Sequence, residues 1–269
     1  MTKRLLVAGY GFLGRVIGPA FVSHGWHVDG VNRSGSDGAV SCDLGLETST
    51  AAIEGDYDLV IHCAASGGGD VDSYRDVYVK GCQNLIARFS DTPLIFTSST
   101  SVYPQTDHAL VTELSAAEST SPRARLLREA ENAVLEAGGI VARLTGLYGR
   151  GRCHVLKNFL AGTAVLDGAG ERIMNFVHCE DVARALVLLA KQGVQGEIYN
   201  VNGGYASQRQ VYESLVDHFG LPLPPQADPN LPRKRGNTSK QVSNAKLKQL
   251  GWSPEYDDFL KIALACDVQ

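Results

Sequence analysis

Residues 4–14 read RLLVAGYGFLG, and this stretch decides the fold. Leu5, Leu6, Val7 and Ala8 form a short apolar run of the kind buried in a parallel sheet. The run leads straight into Gly9-Tyr10-Gly11-Phe12-Leu13-Gly14, which has the spacing G-x-G-x-x-G. Val16, Ile17, Ala20 and Phe21 follow at helical spacing. Such a strand–turn–helix unit sets a pyrophosphate on a helix N-terminus. Gly9 permits the tight turn, Gly11 lets backbone N–H groups approach the phosphates, and Gly14 lets the helix pack on the strand. Tyr10, Phe12 and Leu13 complete the turn. The glycine spacing is specific because a strand precedes it and a helix follows.

Strand-like and helix-like patterns continue to alternate. Residues 27–34, 58–65, 93–97 and the IVARL of 140–144 read as further strands. Residues 74–89 and 123–136 read as helices, the second closed by Gly138-Gly139. The expected fold is α/β, a doubly wound Rossmann-type parallel sheet with a small C-terminal substrate lobe. The chain reads as a single unit, with its core in residues 1–150 and 175–200. The lobe comes from 150–175 and 201–269. Residues 181–191 read as a further helix of the core, and 211–219, 244–250 and 256–265 as helices of the lobe. A proline-rich, basic stretch over 220–240 reads as irregular.

Bulk properties exclude several classes. The chain has 269 residues and a net charge of −4, from 25 basic and 29 acidic side chains. That balance gives no footprint for nucleic acid or an anionic membrane. No apolar run approaches a membrane span, and the N-terminal one breaks at Gly9 and Gly11. The six cysteines are scattered without a C-x-x-C pair. They read as reduced thiols of a cytoplasmic protein, with no metal site.

The second strand should end beside the adenosine ribose. Asn32, Arg33 and Ser34 stand there, and Asp29 falls too early. An Arg that can pair with a 2′-phosphate, with a Ser that can donate to it, favours NADP over NAD.

GYGFLG, Arg33, DLVIHCAAS, FTSSTSVYP, ARLTGLYGRGR and NFVHCEDVARAL occur in the order seen in extended and atypical short-chain dehydrogenases/reductases. The chain therefore resembles the NAD(P)-dependent epimerase/dehydratase group, and within it the atypical, YeeZ-like members. The resemblance runs from residue 5 to about residue 255. It implies that Asp43 and Leu44 bracket the adenine, and that Ala64, Ala65 and Ser66 let the cofactor pass. Thr97, Ser98, Leu144 and Tyr148 would line the cofactor channel. Ser99 would hydrogen-bond the reacting oxygen, with Thr100 beside it in the substrate site. His178 and Asp181 match a V-H-x-x-D element, in which Asp181 reads as a helix N-cap. Family members often dimerise through the helices at 74–89 and 123–136, so a homodimer is a further expectation.

The resemblance fails at the catalytic dyad. The family places a Tyr and, four residues later, a Lys on one helix face. The Lys lowers the Tyr pKa and holds the nicotinamide ribose. Here Arg123 and Leu127 hold those positions, and residues 112–139 contain neither Tyr nor Lys. Arginine cannot shuttle protons near neutral pH. Tyr78 stands where the family has the first Asn of N-V-x-G-T-x-N, which helps to hold that Lys. Tyr78, Tyr103, Tyr148 and His108 are the alternative acids to test by geometry. Glu129 reads as an i,i+4 partner of Arg125.

Arg150 and Arg152 are the leading candidates for clamping an anionic small-molecule substrate. Arg233, Lys234, Arg235 and Lys240 are further basic residues of the lobe. Two functional expectations remain open. One is an NADP(H)-binding enzyme of the epimerase, dehydratase or reductase type acting on a sugar or nucleotide sugar. The other is a non-catalytic NADP-binding regulator or sensor.

Overall fold

The computed structural model describes residues 2–118, 121–228 and 238–257. The basic residues Arg233, Lys234 and Arg235, and the expected terminal helix from residue 258 onward, lie outside the described residues.

The strands, in chain order, are β1 (Arg4–Ala8), β2 (His27–Asn32), β3 (Val40–Ser41), β4 (Leu59–His62), β5 (Leu94–Ser99), β6 (Leu110–Val111), β7 (Ile140–Leu144), β8 (Gly146–Tyr148), β9 (Ile173–His178), β10 (Ile198–Val201), β11 (Gly204–Ser207) and β12 (Gln241–Val242). Seven of them form one sheet in the order β10-β7-β5-β4-β1-β2-β3, and every pairing in it is parallel. The order reverses between β1 and β4, which is the switch point where a doubly wound sheet opens a crevice.

Both faces of the sheet are covered, so its central strands are buried along nearly their whole length and mostly apolar, with His62, Thr97, Ser98 and Arg143 as buried polar exceptions. Leu5 and Val7 of β1 point into one core, with Ile17 and Phe21 of helix α1 (Gly14–Val22). Leu6 and Ala8 point into the other, with Val79, Leu85, Leu127, Ala130 and Val134. The last three lie on the long helix Pro122–Glu136, which starts with Pro122 in its first turn.

Where the sequence predicts one helix over 74–89, the chain winds from Val71 to Arg88 in three parts: an α turn at Val71–Tyr74, a π turn at Arg75–Lys80, and α-helix again at Gly81–Arg88. Asp70 caps the start by accepting from the Ser73 N–H at 2.9 Å.

β8, β9 and β11 form a separate small sheet. With the helices His154–Leu160 and Gln208–Phe219 it encloses its own apolar cluster around Phe159, Leu166, Tyr212 and Leu215. The antiparallel β11·β9 pair and the parallel β8·β9 pair connect this lobe directly to the carboxyl end of β7. No helix among the described residues is long and apolar enough to cross a membrane.

Candidate functional site

The glycine turn connects β1 to α1 at the carboxyl edge of the sheet. Gly9 has φ +107°, and a Cβ on it would lie 2.2 Å from the Ala64 amide nitrogen. A Cβ on Gly14 would lie 2.6 Å from the Gly9 carbonyl oxygen. The Gly9 and Tyr10 N–H groups both donate to the Val31 carbonyl at 2.9 Å, which ties the turn to β2. Gly11 differs, because a Cβ there would meet nothing within 4 Å. Among the described residues, the Phe12 and Leu13 N–H groups have no acceptor. Open space, free N–H groups and the positive end of α1 together form an anion cradle. The residues present fit the pyrophosphate of a dinucleotide. The Tyr10 ring turns away from this space, packing within 2.4 Å of where a Gly30 Cβ would stand and 2.8 Å from a Gly18 Cβ. Tyr10 therefore gives the turn its backbone and gives α1 and β2 its side chain.

At the end of β2, Asn32 organises the following loop. Its Nδ2 donates to the Tyr10 carbonyl at 2.9 Å and the Ser36 carbonyl at 3.1 Å. Its Oδ1 accepts from Ser34 Oγ at 3.1 Å. Arg33 and Ser34 are exposed, and among the described residues the Arg33 guanidinium has no ion-pair partner. Nearby, Arg15 pairs with Asp37 at 3.2 Å. Asp43 accepts from the Gly45 N–H at 3.0 Å, and Leu44 is buried, with its carbonyl held by Asn84 at 2.8 Å.

At the ends of β4 and β5 the side chains divide. Ala64 and Ser66 are half-buried and Ala65 is exposed along the crevice. Thr97 donates to the His62 carbonyl at 3.2 Å, and Ser98 to Glu131 at 2.6 Å, so both hydroxyls face the interior. Ser99 is half-buried at the strand end, where its Oγ accepts from the Ser101 N–H at 3.2 Å and keeps its own proton to donate. Thr100 and Leu144 are buried. Beneath this edge His62 is fully buried. Its Nε2 donates to the Val77 carbonyl at 2.9 Å, and burial pushes its pKa down to about 4.

Arg123 and Leu127, the residues expected at the dyad positions, both make structural contacts. Arg123 is exposed and donates to the Gly69 carbonyl at 2.7 Å, with its guanidinium 5.1 Å from the Tyr74 ring centre. Leu127 is 3% exposed in the core. Glu129 pairs with Arg75 at 3.8 Å rather than with Arg125. Its helix lies against the π turn, which offers Arg75 from the neighbouring element.

Beside them the π turn holds Tyr78 at the crevice, 5.0 Å from Tyr74 and 6.2 Å from Phe96 between ring centres. Burial and the neighbouring Tyr74 raise its pKa, while hydrogen bonding with Ser66 and the charge of Arg152 oppose the rise. Arg152 lies across the glycine turn with its guanidinium 5.0 Å from the Phe12 ring centre. Gly149 makes that approach possible, since a Cβ there would stand 2.4 Å from Cys179 Sγ and 3.2 Å from the Phe12 ring. Arg150 is exposed on the same loop.

Other candidates lie elsewhere. Tyr103 is fully buried, and its hydroxyl donates to Asn200 at 2.9 Å and accepts from Arg143 at 2.8 Å. Tyr148 is buried in the lobe against His178, its hydroxyl 3.4 Å from the Tyr256 carbonyl. His108, with φ +64°, borders a cavity of about 380 Å³ with Gly170, Glu171 and Arg209. Lys240 is buried, not a surface clamp. Its Nζ donates to the Tyr103 carbonyl at 2.8 Å, and burial pushes its pKa down to about 8.

The expected cap is also displaced. His178, not Asp181, caps the helix Cys179–Gln192, its Nδ1 accepting from the Glu180 N–H. Asp181 instead accepts from the Glu255 and Tyr256 N–H groups at 3.0 and 3.1 Å and pairs with Arg184. A carboxylate one turn inside the helix satisfies a sequence-distant segment that no local pattern reveals.

Among the described residues no cluster of His, Cys, Asp or Glu could hold a metal ion. The described cysteines are free, and all but Cys153 are buried.

The profile of the NAD dependent epimerase/dehydratase family matches residues 5–202. Protein YeeZ of Escherichia coli K12 is 31% identical over 97% of this chain and 99% of its own length. A putative epimerase from Burkholderia cenocepacia superposes with a TM-score of 0.83 at 21% identity, covering 98% of each chain. The dTDP-glucose 4,6-dehydratase DesIV of Streptomyces venezuelae, solved with NAD and TYD bound, superposes at 0.81 and 23% identity, covering 98% of this chain and 95% of its own. These two likenesses carry the fold. Profile match, full-length relative and an intact glycine cradle lead to one conclusion: this chain belongs to the NAD dependent epimerase/dehydratase family.

Proposed function

We propose that the chain is an NADP(H)-binding member of its family. It acts in epimerase, dehydratase or reductase fashion on a sugar or nucleotide-sugar substrate, without the Tyr-x-x-x-Lys dyad. The observation that carries this reading is the glycine cradle, open over Gly11 and closed on its other sides by Ala64 and the Gly9 carbonyl. A nicotinamide dinucleotide supplies reversible hydride transfer when bound. The chain's own residues hold it. Phe12 and Leu13 offer N–H groups to the pyrophosphate, Asp43 and Leu44 flank the adenine, and Arg33 with Ser34 meets the 2′-phosphate.

The exposed, unpaired Arg33 supports NADP over NAD, and its removal tests the choice. Calorimetric titration should show tighter binding of NADPH than of NADH. Arg33→Ala should lower NADPH affinity about tenfold or more while sparing NADH. Equal effects on both ligands would refute the preference. Arg150 and Arg152, on the loop facing the cradle, support an anionic substrate. Turnover is tested by following reduced nicotinamide absorbance with a panel of sugar nucleotides and carbonyl compounds.

The second reading, a regulator or sensor that binds NADP without turning anything over, rests on Leu127 and Arg123. One is buried in the core and the other is bound to Gly69. Tight NADPH binding with no turnover across the panel would favour it.

A further inference from the structure

The chain has ten tyrosines, and their surroundings leave one of them to do acid chemistry at the crevice. Tyr10 lies beneath Gly18 and Gly30. Tyr103 and Tyr148 are buried, each with its hydroxyl directed at an internal partner. Tyr57 meets Phe89 edge to face and lies under Arg4, at the opposite end of β4. Tyr199 accepts from the Val194 N–H, and Tyr256 bonds Glu180. Tyr205 and Tyr212 belong to the lobe, the first exposed and the second in its core. Tyr74 is covered by Arg123. Tyr78 is half-buried at the carboxyl edge of the sheet, packed between Tyr74 and Phe96, and both Ser66 and the charge of Arg152 act to lower its pKa.

That cation relates Tyr78 to the cofactor cradle. Arg152 lies over the Phe12 ring of the glycine turn at 5.0 Å, and its charge lowers the pKa of the Tyr78 phenol. On the other side Tyr78 packs on Tyr74, which carries Arg123, the occupant of the family's Tyr position. The π turn produces this placement. A π turn adds a residue to the helical repeat and rotates the side chains that follow, and such turns gather at functional sites.

We propose that Tyr78 is the proton donor of this chain, with Arg152 as its charge partner in place of the missing lysine. The assignment rests on the enzymatic reading above. In the reductive direction a substrate carbonyl carbon receives hydride from reduced nicotinamide dinucleotide, and the carbonyl oxygen takes the Tyr78 proton. One C–H and one O–H bond form, and the phenol O–H breaks. The phenolate faces the Arg152 guanidinium and regains its proton from solvent. Burial keeps the phenol protonated at neutral pH, as a donor requires.

The test compares wild type with Tyr78→Phe, Tyr74→Phe and Arg152→Gln. Phenylalanine keeps the ring contacts with Tyr74 and Phe96, so Tyr78→Phe should melt with wild type and bind NADPH within about twofold. Its turnover of any accepted carbonyl should fall about 100-fold or more, while Tyr74→Phe stays near wild type. A second readout needs no turnover. The phenolate absorbance assigned to Tyr78, obtained by subtracting Tyr78→Phe from wild type during a pH titration, should move to higher pH in the Arg152→Gln background. Retained turnover in Tyr78→Phe overturns this assignment alone. An unmoved phenolate titration removes Arg152 from it. Wild type that binds NADPH but turns over nothing overturns the enzymatic reading and, with it, any donor role.

Discussion

Glu131 and Arg143 form a bidentate ion pair in the core, at 2.9 Å (Nε to Oε1) and 2.7 Å (Nη2 to Oε2), with exposures of 0% and 1%. Ser98 and Arg128 also donate to the carboxylate, and Arg143 donates to the Tyr103 hydroxyl, which donates on to Asn200. The pair joins the helix Pro122–Glu136 to β7 and β5 beneath the crevice. It fixes the strand ends that carry Ser98 and Ser99.

Breaking this pair should be costly. Glu131→Ala leaves Arg143 charged and buried without its counter-ion, and should destabilise the fold by about 3–5 kcal/mol. Urea denaturation measures it. A much smaller loss would mean that water reaches Arg143.

Two glycines of the turn should respond oppositely. Gly9→Ala forces a Cβ to 2.2 Å from the Ala64 amide at a φ that alanine resists, and should lower stability by more than about 3 kcal/mol. Gly11→Ala meets nothing in the protein, so its melting temperature should match wild type while NADPH affinity falls. Unchanged NADPH affinity in Gly11→Ala would place the pyrophosphate elsewhere.

His62 gives stability an acid-side slope. Its folded pKa of about 4 lies below the ordinary 6.5, so the unfolded chain binds the extra proton between those values. The stability tied to neutral His62 is complete above pH 6.5 and declines as pH falls toward 4, by about 3 kcal/mol in all. His62→Gln should flatten that part of a stability–pH profile.

Asp181→Ala should loosen the segment at 252–257 rather than the helix start. The Glu255 and Tyr256 amides lose their acceptor, so their hydrogen exchange should quicken. Global stability should drop by about 2–4 kcal/mol. Faster exchange confined to Cys179 and Glu180 would restore Asp181 as the cap.

Legibility followed distance along the chain. The glycine turn, the alternation of strands and helices and the helix expected over 123–136 show in the spacing of neighbouring residues, and all were readable. The π turn was hidden because its apolar spacing differs from a helix by a single residue. Asp181 and Lys240 misled for another reason. Their types suit a cap and a surface clamp, but their partners, Tyr256 and Tyr103, come from remote segments.

Which residue stands at which spacing is enough to read the glycine turn, and to expect Arg123 and Leu127 where the family has its Tyr and Lys. The tertiary structure alone decided what Arg123 does instead and which tyrosine faces the crevice. Those outcomes depend on Gly69, Tyr74, Ser66 and Arg152 meeting across separate elements. Such meetings are set by packing of the whole sheet and lobe, and no local run of residues encodes them.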